Sequence, residues 1–421
     1  MEYKKDTLDN GLEIITCPMP HTRSVSVLFF VKAGSCYERD EEAGISHFVE
    51  HMCFKGTGKR PTSKEISEAI EGVGGIMNGG TDREVTSYYC KLASQHFEMA
   101  VDVIVDLLRN PLFRAEDVDK ERQVIIEEIN MSLDSPQQRV GMIFDELMWP
   151  GKALGRDIAG SKETVSAITH EQMLHYLSNC YITGNMLVSI AGNFETEKAI
   201  ELIRQATADW QGGIVPGYRD SIIEQAVPRT KIEYRETEQV NLVLGVEAPS
   251  VFHPDRFAVY LLNMILGVGM SSRLFTEIRE KLGLAYDIHS YVEHFRETGV
   301  FGIQAGIEPG QTEKAIQAIL HQLAVIRDGI SDAELKKVRE MAKGSLLLRM
   351  ENSYNVASWY GGQEVLTGKI MTIDEVTQVI ENVTMEDIKR IAGDLFKTEK
   401  LNLAIVGPIK DDGSVAKLMT I

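Results

Sequence analysis

The sequence predicts an α+β chain of two structurally similar domains, and three observations lead to this fold class. Segments with the alternating pattern of strands and segments with the longer period of helices follow one another along the 421 residues. Two strand-like segments that end in glycine, residues 185–192 and 400–407, are similar to each other and lie 215 residues apart. Each of these glycines follows a helix-starting threonine, Thr169 or Thr384, by 23 residues. A repeat of about half the chain indicates a duplicated domain.

The boundary between the two copies is predicted from a change in composition. Residues 210–228 contain several glycines and prolines, which is typical of a linker. We therefore assign residues 1–217 to a first domain and residues 218–421 to a second.

Individual elements follow from local patterns. Asn10-Gly11, between two short strand-like segments, is a strong hairpin signal, and residues 24–31 predict a strand whose second half is apolar on both faces. Helical periodicity predicts helices at residues 62–73, 91–109, 116–134 and 169–179. These helices are expected to cover the sheet.

Composition and charge limit the classes of protein to which this chain can belong. An apolar content of 43% is enough for substantial cores in two or more domains. The net charge is −18 and the sequence contains no basic cluster, which argues against a nucleic-acid-binding protein.

The cysteine pattern and the hydropathy predict the compartment. The five cysteines are scattered, odd in number and outside any C-x-x-C spacing, as expected in a reducing environment. The amino terminus leads directly into the hairpin without an apolar signal region, and no later segment is long and apolar enough to cross a membrane. We therefore expect a cytoplasmic protein without a membrane partner.

The segment Ser46-His47-Phe48-Val49-Glu50-His51 contains the strongest chemical signal. On a helix, His47 and His51 are one turn apart, and Glu50 lies beside them on the same face. Two neutral imidazoles at this spacing chelate zinc, and a neighbouring carboxylate takes a proton from activated water. The order H-x-x-E-H is a zinc-peptidase signature. The alternative is a helix face with two hydrogen-bonded histidines.

A third protein ligand is expected, and the predicted helix at residues 116–134 offers three glutamates for it. Glu121 and Glu128 are seven residues apart and share one face, whereas Glu127 is turned by about 100° from Glu128. A pair of carboxylates on one face suits one metal ligand and one group that orients a histidine. The second domain has no H-x-x-E-H, so only the first is expected to hold metal.

Longer motifs extend this signal over nearly the whole chain. Residues 121–128 match the pattern E-R-x-V-I-x-x-E, and residues 74–88 match G-G-x-x-N followed by T-x-x-E-x-T-x-Y. With these motifs the chain resembles the inverzincin zinc peptidases of the pitrilysin type. Within that group it resembles most closely the mitochondrial processing peptidase and its two-domain bacterial relatives.

The resemblance implies a fold and a ligand set. Each domain is expected to be a mixed or antiparallel β-sheet covered by helices, as in these metallohydrolases. Glu128 takes the place of the third ligand and Glu121 that of the supporting carboxylate, with Glu127 as the alternative ligand. One Zn²⁺ per chain is implied, and another divalent metal such as cobalt or manganese is the alternative.

The resemblance also implies substrate-binding residues. Gly75 is expected to bind the substrate peptide, because small residues let an extended chain approach a strand. Asn78 is expected to position the peptide. Arg279 and Tyr286 of the second domain are expected to reach the substrate near the metal and to donate to the oxyanion. For these two, an ordinary ion pair and a surface phenol are the alternative.

The function that the resemblance implies is a zinc-dependent endopeptidase that cleaves unfolded peptides or presequences inside a closed chamber. Two copies of a two-domain chain supply such a chamber, so a homodimer is expected, with a heterodimer as the alternative. Three other functions stay open. These are an inactive structural subunit of a heteromeric complex, a module that only binds peptides, and a zinc hydrolase of small molecules.

Overall fold

The computed structural model describes residues 2–210, 213 and 217–421. Its contacts divide the chain into two compact units. Unit 1 consists of Met1–Ile129, Asp157–Arg219 and Leu347–Ile373, and unit 2 consists of Asn130–Arg156, Asp220–Leu346 and Asp374–Ile421. Residues 211, 212 and 214–216 of the predicted linker lie outside the described residues. The predicted domain limits, 1–217 and 218–421, stay a prediction.

Unit 1 contains a six-stranded mixed sheet. Its strands are β1 (Lys4–Thr7), β2 (Glu13–Pro18), β3 (Ser24–Val31), β4 (Ile76–Thr81), β5 (Thr86–Ala93) and β6 (Met186–Gly192). Their order across the sheet is β1-β2-β6-β3-β5-β4, with β6 parallel to β2 and the other pairs antiparallel. The central strands β3 and β6 are almost entirely buried, whereas β4 is an edge strand.

Helices cover both faces of this sheet. They are α1 (Ile45–Cys53), α2 (Ser63–Glu71), α3 (Phe97–Arg109), α4 (Ala115–Asp134), α6 (Lys162–Ala167), α7 (His170–Cys180), α8 (Thr196–Thr207) and α12 (Ser353–Thr367), numbered along the whole chain. α3 packs on β3 and β5, and α1 packs on α7 and β4. α12 covers β3 and β6 and approaches closely, because a Cβ on Gly361 would lie 2.4 Å from the Phe30 ring.

Unit 2 repeats this arrangement with five strands. They are β7 (Arg229–Tyr234), β8 (Val240–Ala248), β9 (Ala285–His294), β10 (Gly299–Ile307) and β11 (Asn402–Gly407). The order is β7-β11-β8-β10-β9, and β11 is parallel to β7 and antiparallel to β8. β6 lies in the same way between β2 and β3, which confirms the duplicated α+β fold predicted from the repeat.

Helices also pack on the sheet of unit 2. They are α5 (Pro136–Met148), α9 (Arg256–Gly267), α10 (Thr312–Ile326), α11 (Asp332–Arg349), α13 (Ile373–Asn382), α14 (Met385–Leu395) and α15 (Ser414–Leu418), with a π-helix at Phe275–Lys281. The paired threonines Thr169 and Thr384 are the N-caps of α7 and α14, and each forms a capping box.

Each unit takes one helix from the other half of the chain. α12 comes from the second half and packs on β2, β3 and β6, whereas α5 comes from the first half and packs on β7, β8 and β11. Ser189 donates to the carbonyl of Ala357 at 2.7 Å and thus ties β6 to α12. This exchange was not predicted from the sequence.

Most local predictions are confirmed, and one was wrong at its start. β1 and β2 form the hairpin, with Gly11 in the left-handed region at φ 86°, and residues 24–31 are β3. The helix predicted from residue 91 begins at Phe97, because buried residues still alternate along β5 as far as Ala93. Among the described residues, none of the helices combines the length and the apolar character that crossing a bilayer requires.

Candidate metal centre

The helix α1 carries the H-x-x-E-H segment and is fixed at its amino end. Gly44 precedes it in the left-handed region at φ 95°, where a Cβ would lie 2.4 Å from the carbonyl oxygen of Ala159. The carboxylate of Glu38 accepts hydrogen bonds from the backbone N–H of Gly44 at 2.9 Å and of Ser46 at 2.8 Å. A negative charge at this end is favourable for the helix dipole and holds the first turn in place.

Three donor side chains from two helices meet at one point. The Nε2 atoms of His47 and His51 are 3.1 Å apart. Oε2 of Glu128, on α4, lies 3.9 Å from Nε2 of His47 and 3.7 Å from Nε2 of His51. All three ligand atoms lie within 4.8 Å of one another, as donors to a single ion do. Within the described part of the chain this is the one group of at least three such residues, and Glu127 is not in it.

Neighbouring groups orient His51. Its Nδ1 lies 2.8 Å from Oε1 of Glu121, so a proton on Nδ1 is donated to this carboxylate and Nε2 presents its lone pair. The other oxygen of Glu121 forms an ion pair with Nζ of Lys55 at 2.5 Å. Burial acts to raise the pKa of Glu121, but the bonds from His51 and Lys55 lower it, so the carboxylate stays charged.

The ring of His47 lies beside that of His51, with the ring centres 4.4 Å apart. Burial lowers the pKa of His47 to about 4, so its imidazole is neutral at pH 7, as a metal ligand must be. Its Nδ1 is buried and has no hydrogen-bond partner among the described residues. Two imidazoles on successive turns of one helix and one carboxylate from another helix are the donor set of a catalytic zinc site, so the residues fit the ion.

Glu50 lies beside the ligands and against the edge strand β4. Its side chain is almost buried, with 8% of the residue exposed, and burial raises its pKa. Oε2 accepts a hydrogen bond of 2.6 Å from the hydroxyl of Thr81. A Cβ on Gly79 would lie 3.1 Å from Oε1 and 2.9 Å from the Phe54 ring, so a side chain at this position would displace one of these groups. A carboxyl with a raised pKa beside a metal site suits a general base.

Two predicted substrate-binding residues lie in or next to β4. Asn78 is exposed and pairs with Tyr89 of β5, on the face opposite to that of Gly79 and Thr81. Its Oδ1 accepts a hydrogen bond from the N–H of Gly79 at 2.9 Å. Gly75 precedes the strand, and a Cβ there would lie 2.8 Å from the side chain of Ile70. The lack of a side chain at Gly75 therefore serves packing against α2.

Arg279 and Tyr286 lie in unit 2, in contact with each other. The Arg279 guanidinium is 4.7 Å from the centre of the Phe275 ring and 5.6 Å from that of the Tyr286 ring. Tyr286 is 75% exposed at the start of β9. Gly283, at φ 61°, makes the turn between them. Their action on a substrate stays a prediction.

Sequence reasoning did not assign a role to three residues that contact the centre. Thr81 lies in the motif at residues 74–88, and Lys55 follows the H-x-x-E-H segment by four residues, but neither was linked to Glu50 or Glu121. Gly79 was overlooked, although a glycine pair inside a strand is a recognised signal of close backbone approach.

Family comparisons cover most of the chain. Residues 14–162 match the family described as insulinase, peptidase family M16, and residues 167–342 match the peptidase M16 inactive domain. An uncharacterized zinc protease of Streptomyces coelicolor is 34% identical over 416 residues, covering 97% of this chain and 90% of that protein. The uncharacterized zinc protease YmxG of Bacillus subtilis is 33% identical, covering 96% of this chain and 98% of that protein.

Solved structures show the same fold. A protease from Helicobacter pylori superposes with a TM-score of 0.90 at 23% identity, covering 97% of this chain and 99% of the other. A chain of Complex III2 from Candida albicans superposes with a TM-score of 0.86 at 18% identity, covering 99% and 98%. With curated relatives above 30% identity over nearly its full length, this chain belongs to peptidase family M16.

Proposed function

We propose that this protein is a zinc-dependent endopeptidase that cleaves unfolded peptides or presequences. The observation that carries the proposal is the meeting of His47, His51 and Glu128 at one point, with the buried carboxyl of Glu50 beside them. The relatives named zinc proteases support the same chemistry.

Each side chain then has a defined part in hydrolysis. His47, His51 and Glu128 hold one zinc ion per chain, and Glu121 keeps His51 oriented. When bound, the ion supplies Lewis-acid chemistry, which makes water a stronger acid near neutral pH. Glu50 accepts a proton from the attacking water and later returns it to the leaving amine.

The edge strand β4 is the proposed docking site for the peptide. No strand of the described residues pairs with its outer edge, so an extended chain can add to it through backbone hydrogen bonds. Gly79 presents no side chain beside Glu50, and Asn78 is exposed for a polar contact. Extended binding selects unfolded segments over folded proteins.

Arg279 and Tyr286 are proposed as donors to the oxyanion that forms when water adds to the peptide carbonyl. A guanidinium and a phenol both donate hydrogen bonds, and the contact of Arg279 with Phe275 restricts its side chain. This part of the proposal rests on the family resemblance.

We also propose a homodimer, with a heterodimer as the alternative, and a reducing, cytoplasmic location. The five buried, unbridged cysteines support the location. Sedimentation of the purified chain, with activity measured over the same concentrations, tests the dimer. A fully active monomer would exclude the homodimer as a requirement.

The central test is cleavage of unstructured peptides by the purified chain, with and without a chelator, with products identified by mass spectrometry. We expect internal cleavage that the chelator abolishes and zinc restores. Glu50→Gln should keep zinc and lower kcat by roughly 10²- to 10⁴-fold, because the general base is lost. Peptide binding by the zinc-loaded wild type without cleavage would instead favour an inactive, peptide-binding subunit.

A further inference from the structure

The two oxygens of the Glu50 carboxyl lie in different surroundings. Oε2 accepts the 2.6 Å hydrogen bond from Thr81, whereas Oε1 lies beside Gly79, near the position of the missing Cβ. One oxygen is therefore anchored and the other lies against a strand segment without side chains. The backbone of Thr81 also hydrogen-bonds to Glu50, so both hydrogen bonds that hold this carboxyl come from the last residue of β4.

The hydroxyl of Thr81 is committed to this contact. Thr86, which pairs with Thr81 across β4 and β5, donates its own hydroxyl to the carbonyl of Ala33 at 2.9 Å. The two threonine hydroxyls are 3.5 Å apart, at the limit for a hydrogen bond. The proton of Thr81 is thus directed to Glu50, and Thr86 keeps the end of β4 in place.

We propose that Thr81 is a positioning residue for the general base. Its hydroxyl fixes Oε2 of Glu50, so that Oε1 is the oxygen that accepts the proton from water. The inference rests on the proposed function and names a further residue for it. It also links peptide binding to proton transfer, because β4, which is the proposed docking strand for the peptide, also holds the general base.

The position of Thr81 separates this role from a purely structural one. Thr81 is the last residue of an edge strand and is only half-buried, so its hydroxyl is not part of the apolar core. Removal of the hydroxyl should change the stability of the fold little. A base that is misplaced by a fraction of an ångström, in contrast, slows proton transfer strongly.

The test compares two conservative variants with the wild type. Thr81→Val keeps the branched shape and loses the hydroxyl, whereas Thr81→Ser keeps the hydroxyl. We expect kcat to fall roughly 10- to 100-fold in the valine variant, with KM within about twofold of the wild-type value, and to recover largely in the serine variant. Zinc content and thermal stability, measured on the same samples, should match those of the wild type.

A second measurement excludes an effect on peptide docking. In the Glu50→Gln background, peptide affinity is measured by fluorescence with and without Thr81→Val, and the two affinities should agree. A valine variant with wild-type kcat, with a raised KM alone or with lost zinc would overturn the inference. Failure of the proposed function has a different signature, because the zinc-loaded wild type would then leave peptides uncut, or the Glu50→Gln chain would cleave them as fast as the wild type.

Discussion

Two buried glutamates next to the ligands have opposite properties. Glu50 and Glu121 are 8% and 5% exposed. Burial raises the pKa of Glu50, whose side-chain hydrogen bond comes from the neutral hydroxyl of Thr81. Glu121 is bonded to His51 and to the Lys55 ammonium, which lower its pKa. Environments that separate the pKa values of two carboxyls suit one to proton transfer and the other to permanent charge.

Loss of the charge on Glu121 should weaken zinc binding. In Glu121→Gln the amide oxygen still accepts from His51 but no longer carries the charge that Lys55 stabilises, so His51 becomes a poorer ligand. We expect zinc affinity to fall roughly 10- to 100-fold, as measured by competition with a chromophoric chelator. Glu116→Gln, at an exposed position on the same helix, is the control and should bind zinc normally. Equal affinities in the two variants would contradict this role.

The residues that could be predicted from the sequence are those whose relation is set by one helix. His47, Glu50 and His51 lie on one face of a single helix within about one turn of each other, so their proximity follows from helix geometry alone. Glu128 required a second helix at a defined distance, and periodicity left Glu127 open as the ligand. The contacts of Lys55 and Thr81 depend on side-chain conformations in three dimensions, which spacing does not determine.

At the scale of elements, β4 combines an open edge with contact to α1. Its inner face carries Gly79 and Thr81, both next to Glu50, and its outer face is exposed. Gly79 makes this close approach of the strand to Glu50 possible.

A methyl group on the inner face of β4 should disturb the site, and one on the outer face should not. In Gly79→Ala the new Cβ would lie 2.9 Å from the Phe54 ring and 3.1 Å from Glu50, so one of them must move. At Gly80 a Cβ has no neighbour within 4 Å, which makes Gly80→Ala the matched control. We expect kcat/KM to fall roughly tenfold or more for the first variant only. Similar values for both would show that the inner face does not matter.

The start of α11 in unit 2 depends on one carboxylate. Glu334 accepts from the Arg273 guanidinium at 2.7 and 3.0 Å and from Ser331, at the amino end of the helix. The bonds from Arg273 lower the pKa of Glu334 to about 2. The ionised form is therefore the stabilising one.

This ion pair predicts a pH-dependent stability. Because the folded-state pKa is lowered from 4.5 to about 2, the stabilisation is present above pH 4.5 and is lost as the pH falls toward 2. Glu334→Gln should lower the free energy of unfolding by roughly 1–2 kcal/mol at pH 7 and by progressively less below pH 4.5, in urea titrations. Asp332→Asn, exposed in the same turn, is the control. A difference that is independent of pH would refute the assignment.

Helices and strands with a clear hydrophobic period were predictable from the sequence, but the sheet on which each helix packs was not. The β1–β2 hairpin was predictable from its turn signal, and β3 from its strand pattern. The helices α4 and α7 were predictable from helical periodicity, and α7 also from its capping threonine. The join of β5 and α3 was misplaced because Lys91-Leu92-Ala93 fits both periods. The apolar stripes of α5 and α12 show that each helix is packed, but a stripe carries no information about which of two similar sheets it covers.

For the molecule as a whole, zinc should contribute to stability. An ion that binds the folded chain and not the unfolded one adds about 2.7 kcal/mol at a free concentration 100 times its Kd. Removal of metal by a chelator should therefore lower the Tm, and added zinc should restore it, in calorimetric scans. Glu128→Gln, which lacks a ligand, should show a smaller shift. An equal shift in this variant would place the stabilising ion elsewhere.

The exchange of α5 and α12 between units has a consequence during synthesis on the ribosome. The sheet of unit 1 is encoded before residue 193, yet the helix that covers one of its faces ends only at Thr367. When only half of the chain has been synthesised, one apolar face of this sheet is therefore still exposed. It is covered only after the second half has been translated. We therefore expect chaperones to bind the nascent chain during that interval, because the N-terminal sheet cannot be fully covered early in synthesis.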